Sequence, residues 1–359
     1  MTDNSPVDGL LTDFFEAVNL RDLARCQTSL AKLDRLAVDD AAAGHWSAYC
    51  HAILLFEDKR DWAAAERIFV ELLAMPLAPA LHARVLYALG RTYIVQARWQ
   101  AAIDAYGKLA AFAQRHEQPV EFIKAQRQIA AAYCKGFIQG DFDEAALRQG
   151  VVHGEEALHG LATLDEAAPS STLRWLAGSI WNTLGALHTY LEAWEDALVC
   201  YEEDLAIAQE LDDRHGTGIT LNNIAEVRHR QGGDIGTTAL PAYLQALQLV
   251  QEFGNAYEEI DVHRNLGRLY VDLLAPDQAR QHYEQAIDLI ERLRTGVSSG
   301  DGRSGFFSTV VNTYGEMVAL LLQSGETSQA FDMTERARSR TFIELLAGQS
   351  ESPSSEQSI

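Results

Sequence analysis

The chain has 359 residues, 47% of them hydrophobic, with Lys+Arg 29 against Asp+Glu 51 and a formal net charge of −22. That apolar share can bury a continuous core, which excludes a disordered chain. The acidic balance excludes generic affinity for nucleic acid or an anionic membrane, both of which need a positive field.

Taken in chain order, the start MTDNSPVDG is acidic and polar, unlike a signal peptide. The longest aliphatic run, Met317 to Leu322, is too short to span a bilayer. A soluble, cytoplasmic protein is expected. Residues 1–44 read as N-terminal capping helices, and a weak helix pair follows from Trp46 through Trp62, Ala65 and Phe69. A small residue then recurs in similar helical phrases: Gly90 in ALGRTY, Ala130 in IAAAY, Gly185 in TLGALH, Ala225 in NIAEVR and Gly267 in NLGRLY. The steps between them are 40, 55, 40 and 42 residues.

Behind most of these come an alanine and, four residues on, a tyrosine: Ala102 with Tyr106, Ala197 with Tyr201, and Ala279 with Tyr283. Ala239 with Tyr243 follows two residues late. A small residue on one helix lets a second helix approach closely, and the Ala and Tyr of that second helix fill the complementary side. Gly140-Asp141, Gly232-Gly233-Asp234, Pro276-Asp277 and Gly325-Glu326 supply the turns and helix starts. The long step contains an insertion around Thr163–Thr172. Thr295–Gly305 (TGVSSGDGRSG) reads as a mobile connection, because no strand precedes its glycines and no Gly-Lys-Ser/Thr follows them. The divisions are thus 1–44, a repeat array over 45–295, a loop and C-terminal helix pair over 296–347, and a disordered Ser/Glu-rich tail over 348–359.

This rhythm of Leu-Gly, Tyr, Ala, aromatic and Ala resembles the tetratricopeptide repeat (TPR). Residues 260–293 fit best, with Leu266, Gly267, Tyr270, Ala279, Tyr283 and Ala286 in register. The family period is about 34 residues, so steps of 40 and 42 imply longer helices. The resemblance implies an all-α, right-handed superhelical solenoid of about seven helix pairs. It also implies a concave groove lined by the first helix of each pair, at offsets −6, −3, −2, +1, +4 and +5 from the small residue.

Those offsets select Arg84, Tyr87 and Arg91, then Lys124, Arg127, Gln128 and Lys135. Further on they select Asn182, Thr183 and Tyr190, then Asn222, Asn223, His229 and Arg230, and lastly Arg264, Asn265 and Arg268. Eight Lys/Arg stand against three acids, Glu226, Asp261 and Asp272, which reverses the balance of the whole chain. A basic groove in an acidic shell selects an acidic or carboxylate-bearing partner, a protein segment or extended peptide. Asn182, Asn222, Asn223 and Asn265 carry both donors and acceptors and suit a ligand backbone. Asp261 stands where the clamp of chaperone-binding TPRs wants lysine, so a chaperone tail is not the expected ligand.

No catalytic constellation emerges. There is no HExxH and no EF-hand spacing, and adjacent Cys50-His51 diverge by about 100° on a helix. Cys26, Cys50, Cys134 and Cys200 lie far apart and read as buried thiols. No metal, cofactor or enzymatic activity is expected. At the C-terminal end, TERARSRTFIELL is similar to the helix that closes the TPR region of TPR–CHAT proteins. With no catalytic His or Cys following it, that likeness implies a regulatory or sensor module, either acting beside a partner caspase-like protease or cut from a longer parent. The alternative is a stand-alone peptide-responsive regulator similar to the Rap-type quorum-sensing proteins.

Overall fold

A computed structural model describes residues 6–165, 170–296 and 303–349, and among them there is helix and turn but no strand. The chain divides into two compact units, 1–191 and 192–359. The first holds α1 (Pro6–Asn19), α2 (Leu23–Leu36), α3 (Ala41–Glu57), α4 (Trp62–Leu73), α5 (Pro79–Val95), α6 (Trp99–Arg115), α7 (Pro119–Ile138), α8 (Glu144–Asp165) and α9 (Ser171–Tyr190). The second holds α10 (Trp194–Glu210), α11 (Arg214–Gln231), the single turn α12 (Ile235–Thr238), α13 (Leu240–Phe253), α14 (Ala256–Asp272), α15 (Pro276–Gly296), α16 (Arg303–Gln323) and α17 (Thr327–Gln349). Within each unit, consecutive helices pack as pairs and each pair packs on the next. The all-α, helix-pair fold expected from the repeats is what forms.

The small-residue beat has a steric cause. A Cβ on Gly90 would stand 2.5 Å from the Tyr106 ring, and one on Gly267 would stand 2.5 Å from the Tyr283 ring. Each glycine therefore lets a buried tyrosine of the following helix lie against bare backbone. In α5, α7, α11 and α14 the small residue comes eleven positions after the first helical residue: Pro79, Pro119, Arg214 and Ala256. In α9 it comes fourteen after Ser171, so part of the stretched step is extra length at the start of that helix. The rest of the expected insertion, residues 166–169, lies outside the described residues, as do 297–302 of the expected mobile loop and 350–359 of the tail.

The turns repeat a second device. Arg21, Arg60, Ala97, Glu117, Glu192, Asp212 and Leu274 adopt positive φ, from 52° to 58°, each two residues before the next helix. Glycine does the same at Gly233, Gly254 and Gly325. The pattern is a Schellman cap: Leu274 donates to the Val271 carbonyl and Ala275 to that of Tyr270, closing orphan carbonyls of α14. Helix starts are then secured by aspartate side chains, Asp22, Asp61 and Asp213, which accept from the backbone N–H three residues on. Proline at the start of α5, α7 and α15 serves the same end.

Buried clusters span several helices within each unit. Phe14, Leu33, Tyr49, Phe69 and Val85 join α1 through α5 in one cluster, so the two N-terminal helices share the core of the pairs behind them. In the second unit Tyr243, Val250 and Leu266 form one cluster, and Tyr283, Ile290, Tyr314 and Leu321 another. All four cysteines are buried and none forms a disulfide, and burial pushes the Cys50 and Cys134 thiols up to about 12.

Candidate functional site

The eleven polar residues expected to line a groove divide between the units. Arg84, Arg91, Lys124, Arg127 and Asn182 fall in the first, on α5, α7 and α9. Asn222, Asn223 and Arg230 on α11, with Arg264, Asn265 and Arg268 on α14, fall in the second.

In the first unit, Arg84 stacks its guanidinium 4.8 Å from the Phe15 ring and 5.9 Å from that of Trp46. Arg91 lies 4.8 Å over Phe56 and pairs with Glu57 at 2.9 Å. Lys124 pairs with Glu121 at 2.9 Å along its own helix. Gln128 donates to the Tyr87 hydroxyl at 2.7 Å, tying α7 to α5. Arg127 donates from Nε to the Ser179 carbonyl on α9, a long contact of 3.5 Å. Burial holds the Arg127 guanidinium below its ordinary value. It does the same to the Lys135 ammonium, which the positive charge of Arg127 lowers further. Asn182 is half-buried on α9.

The second unit matches its charges internally. The Arg268 Nε donates to Glu316 Oε1 at 2.8 Å and its Nη2 donates to the same oxygen. Arg230 lies 3.9 Å from Glu226 and over the Trp194 ring at 5.3 Å. Arg264 lies 3.9 Å from Asp261, and the Nε2 of His229 sits 2.8 Å from Asp272. Asn265 is 4% exposed and donates to Asn222 Oδ1 at 3.1 Å. These two amides therefore spend one donor and one acceptor on each other, locking α14 to α11. Asn223 is half-buried on the same helix as Asn222.

These ion pairs narrow the basic excess counted at the repeat offsets. Glu57 and Glu316, which neutralise Arg91 and Arg268, stand on other helices, and Glu121 lies outside the counted offsets. The charge reversal survives around Arg127 and Lys135 and is largely compensated around Arg268.

A cleft of about 450 Å³ opens in the second unit. Arg230, Asn265 and Arg268 line it, together with Tyr243, Tyr283 and Glu316. The last three were not among the expected site residues. Tyr-Gly-Glu at 314–316 does echo the small-residue phrases, with glutamate at the offset where Arg91 and Arg268 stand, and that signal could have found Glu316. Tyr243 and Tyr283 are legible only as packing residues. Next to the cleft-lining helices, buried His263 of α14 meets His282 of α15, with Nδ1 atoms 2.9 Å apart, and Tyr270 stacks on His282. Burial, with some help from His282, pushes the His263 imidazole down to about 4. No group of His, Cys, Asp and Glu suited to a metal ion occurs among the described residues. Nor is any helix among them long and apolar enough to cross a membrane.

The Glu-Arg-Ala-Arg phrase falls on α17, where Arg338 pairs with Glu335 at 3.5 Å on an exposed face. Arg340 lies beyond the residues whose side chains are described.

Comparison with known proteins agrees with this architecture. Residues 176–235 match the tetratricopeptide repeat family. No curated protein sequence matches the chain significantly. Among solved structures, apo RapI aligns over 81% of this chain and 100% of its own, at 9% identity and a TM-score of 0.60. Rap protein complexed with Competence and Sporulation Factor aligns over 94% of this chain and 98% of its own, at 13% identity and 0.58. NprR in complex with its cognate peptide NprX aligns over 94% and 89%, at 19% identity and 0.57. At these identities the likeness establishes the fold, that of TPR-like helical-repeat proteins, with a tetratricopeptide repeat segment at 176–235.

Proposed function

We propose that this chain is a non-enzymatic, peptide-binding sensor or scaffold that holds an extended, carboxylate-bearing segment along the first helices of its repeats. The observation that carries the reading is the state of Arg127 and Lys135. Burial lowers half-buried Arg127, the exposed Lys135 nearby repels it, and no carboxylate pairs with either among the described residues. A partly desolvated cation without a counter-charge is costly, and a ligand carboxylate removes that cost. Arg84, Arg91, Lys124 and the Asn182 amide extend the same polar row within the first unit. The complex of the similar NprR with its cognate peptide NprX supports a short peptide as the ligand.

The test is selection of short peptides against the whole protein from a random display library, followed by titration of the enriched sequences. Enriched peptides should carry Asp, Glu or a free C-terminus, and Arg127→Glu with Lys135→Glu should weaken them by about tenfold or more. Failure to enrich, or equal binding to the doubly substituted protein, would sink the reading.

A stand-alone regulator of the Rap type is the second reading, favoured by the alignment with Rap complexed with Competence and Sporulation Factor over 94% of this chain and 98% of that one. It calls for compaction on peptide binding, measurable by small-angle scattering. Regulation of a caspase-like protease rests on the α17 phrase alone and calls for such a protease beside the gene.

A further inference from the structure

We propose that the cleft of the second unit is a binding site for a cationic N–H donor, an ammonium or guanidinium group carried by a short peptide. The inference rests on the peptide-binding reading and refines it: a ligand reaching this cleft is basic at that point.

The cleft has the volume of a small-ligand site. Tyr243 is 0% exposed, lines the cleft, and its hydroxyl has no hydrogen-bond partner among the described residues. Buried polar atoms are almost always satisfied, so an orphan at a cleft wall points to a missing partner. Tyr106 carries a similarly orphaned hydroxyl in the first unit; what the second unit adds is Glu316. Its Oε1 takes both Arg268 donors, while Oε2 is buried and unpartnered on the same cleft. A carboxylate oxygen only accepts, and a phenol can accept, so the two orphans together call for a donor.

Charge selects which donor. Glu226, Asp272 and Glu316 line the cleft against Arg230 and Arg268, with His229 beside Asp272. Three carboxylates thus stand against two guanidiniums on the lining, which disfavours an anion and favours a cation at Glu316. The orphaned Nε of Arg264 is a donor, but Arg264 is not on the cleft wall. Sequence reading alone gave this region an acidic ligand; the geometry points to the opposite charge here, while leaving the carboxylate to the first unit.

The probes are four blocked pentapeptides, GGKGG, GGRGG, GGQGG and GGEGG, N-acetylated and C-amidated so that the central residue carries the only charge. Ligand-observed NMR titration against the whole protein should place the Lys or Arg peptide at least about tenfold tighter than the Gln and Glu peptides. Glu316→Gln should collapse that preference to within about threefold, and Tyr243→Phe should weaken the preferred peptide by about three- to tenfold. Should Glu316→Gln fail to fold because Arg268 loses its partner, Tyr243→Phe still decides, since it removes one unpaired hydroxyl. A Glu peptide bound as tightly as Lys, or no binding up to about 10 mM, overturns the proposal. If library-selected peptides still depend on Arg127 and Lys135, the general reading survives that failure; if they do not, both fall.

Discussion

Arg127 and Lys135 on α7 occupy the same repeat offsets as Arg264 on α14 and Arg230 on α11, yet sit in opposite electrostatic settings. In the first unit, Arg84 leans on aromatic rings, and Arg127 and Lys135 face each other's charge. In the second, Arg230, Arg264 and Arg268 each have a carboxylate within 4 Å, and Arg268 holds two hydrogen bonds to Glu316. Equivalent positions thus share a backbone role without sharing a chemical one. The scaffold is repeated; the charge partners are local.

The strongest way to sharpen this contrast is to show first that the scaffold is the same. Gly90→Ala and Gly267→Ala should each cost about 1–3 kcal/mol, because the new methyl meets a tyrosine ring at 2.5 Å. Helix propensity alone would make the same changes favourable by about 1 kcal/mol, so denaturant midpoints decide by sign. Equal losses at both sites uphold the shared scaffold; a gain at either breaks it.

Acid should separate the units next. His263 lies in the second unit with its folded value near 4 instead of 6.5, so the unfolded chain binds the proton that the folded one refuses. Stability is therefore full above 6.5 and falls with pH toward 4, by about 2 kcal/mol at pH 5. His282, also lowered by burial, acts in the same direction, while Glu259, 3.8 Å from His263, favours the protonated form and is outweighed. Urea unfolding at both pH values should lose most of this dependence in His263→Gln. An unchanged slope would mean the pair is solvated.

The charge contrast itself predicts opposite responses to one substitution. Arg268→Met strands Glu316 and should cost about 1–2 kcal/mol, a figure discounted because Arg268 is 41% exposed. Arg127→Met removes a desolvated, uncompensated cation and should be neutral or stabilising by up to about 1 kcal/mol. Similar losses at both would erase the distinction drawn between the units.

The smallest effect tests the turns common to both. Leu274 is 89% exposed at φ 58°, and Ala97 sits at φ 55° in the equivalent turn of the first unit. Replacing either with glycine should relieve the left-handed strain and raise stability by about 0.5–1 kcal/mol in thermal unfolding. A loss would show that the Schellman geometry is not kept in solution.

The amino-acid sequence by itself determined the helix pairs, their close-packing residues and their turn chemistry. These are local matters: a glycine and the tyrosine behind it lie sixteen residues apart at both Gly90 and Gly267, and van der Waals radii dictate that they touch. Aspartate and proline likewise announce a helix start within a few residues of themselves. Of the residues expected to line a groove, Arg230, Asn265 and Arg268 share one cleft. Tertiary structure alone decided which charges are cancelled and which polar groups are stranded. Arg91 meets Glu57 and Arg268 meets Glu316 across helix boundaries, and Asn265 spends its amide on Asn222. Ion pairing depends on distances of a few ångströms between side chains from different helices, and the repeat offset of a residue on its own helix does not contain that distance.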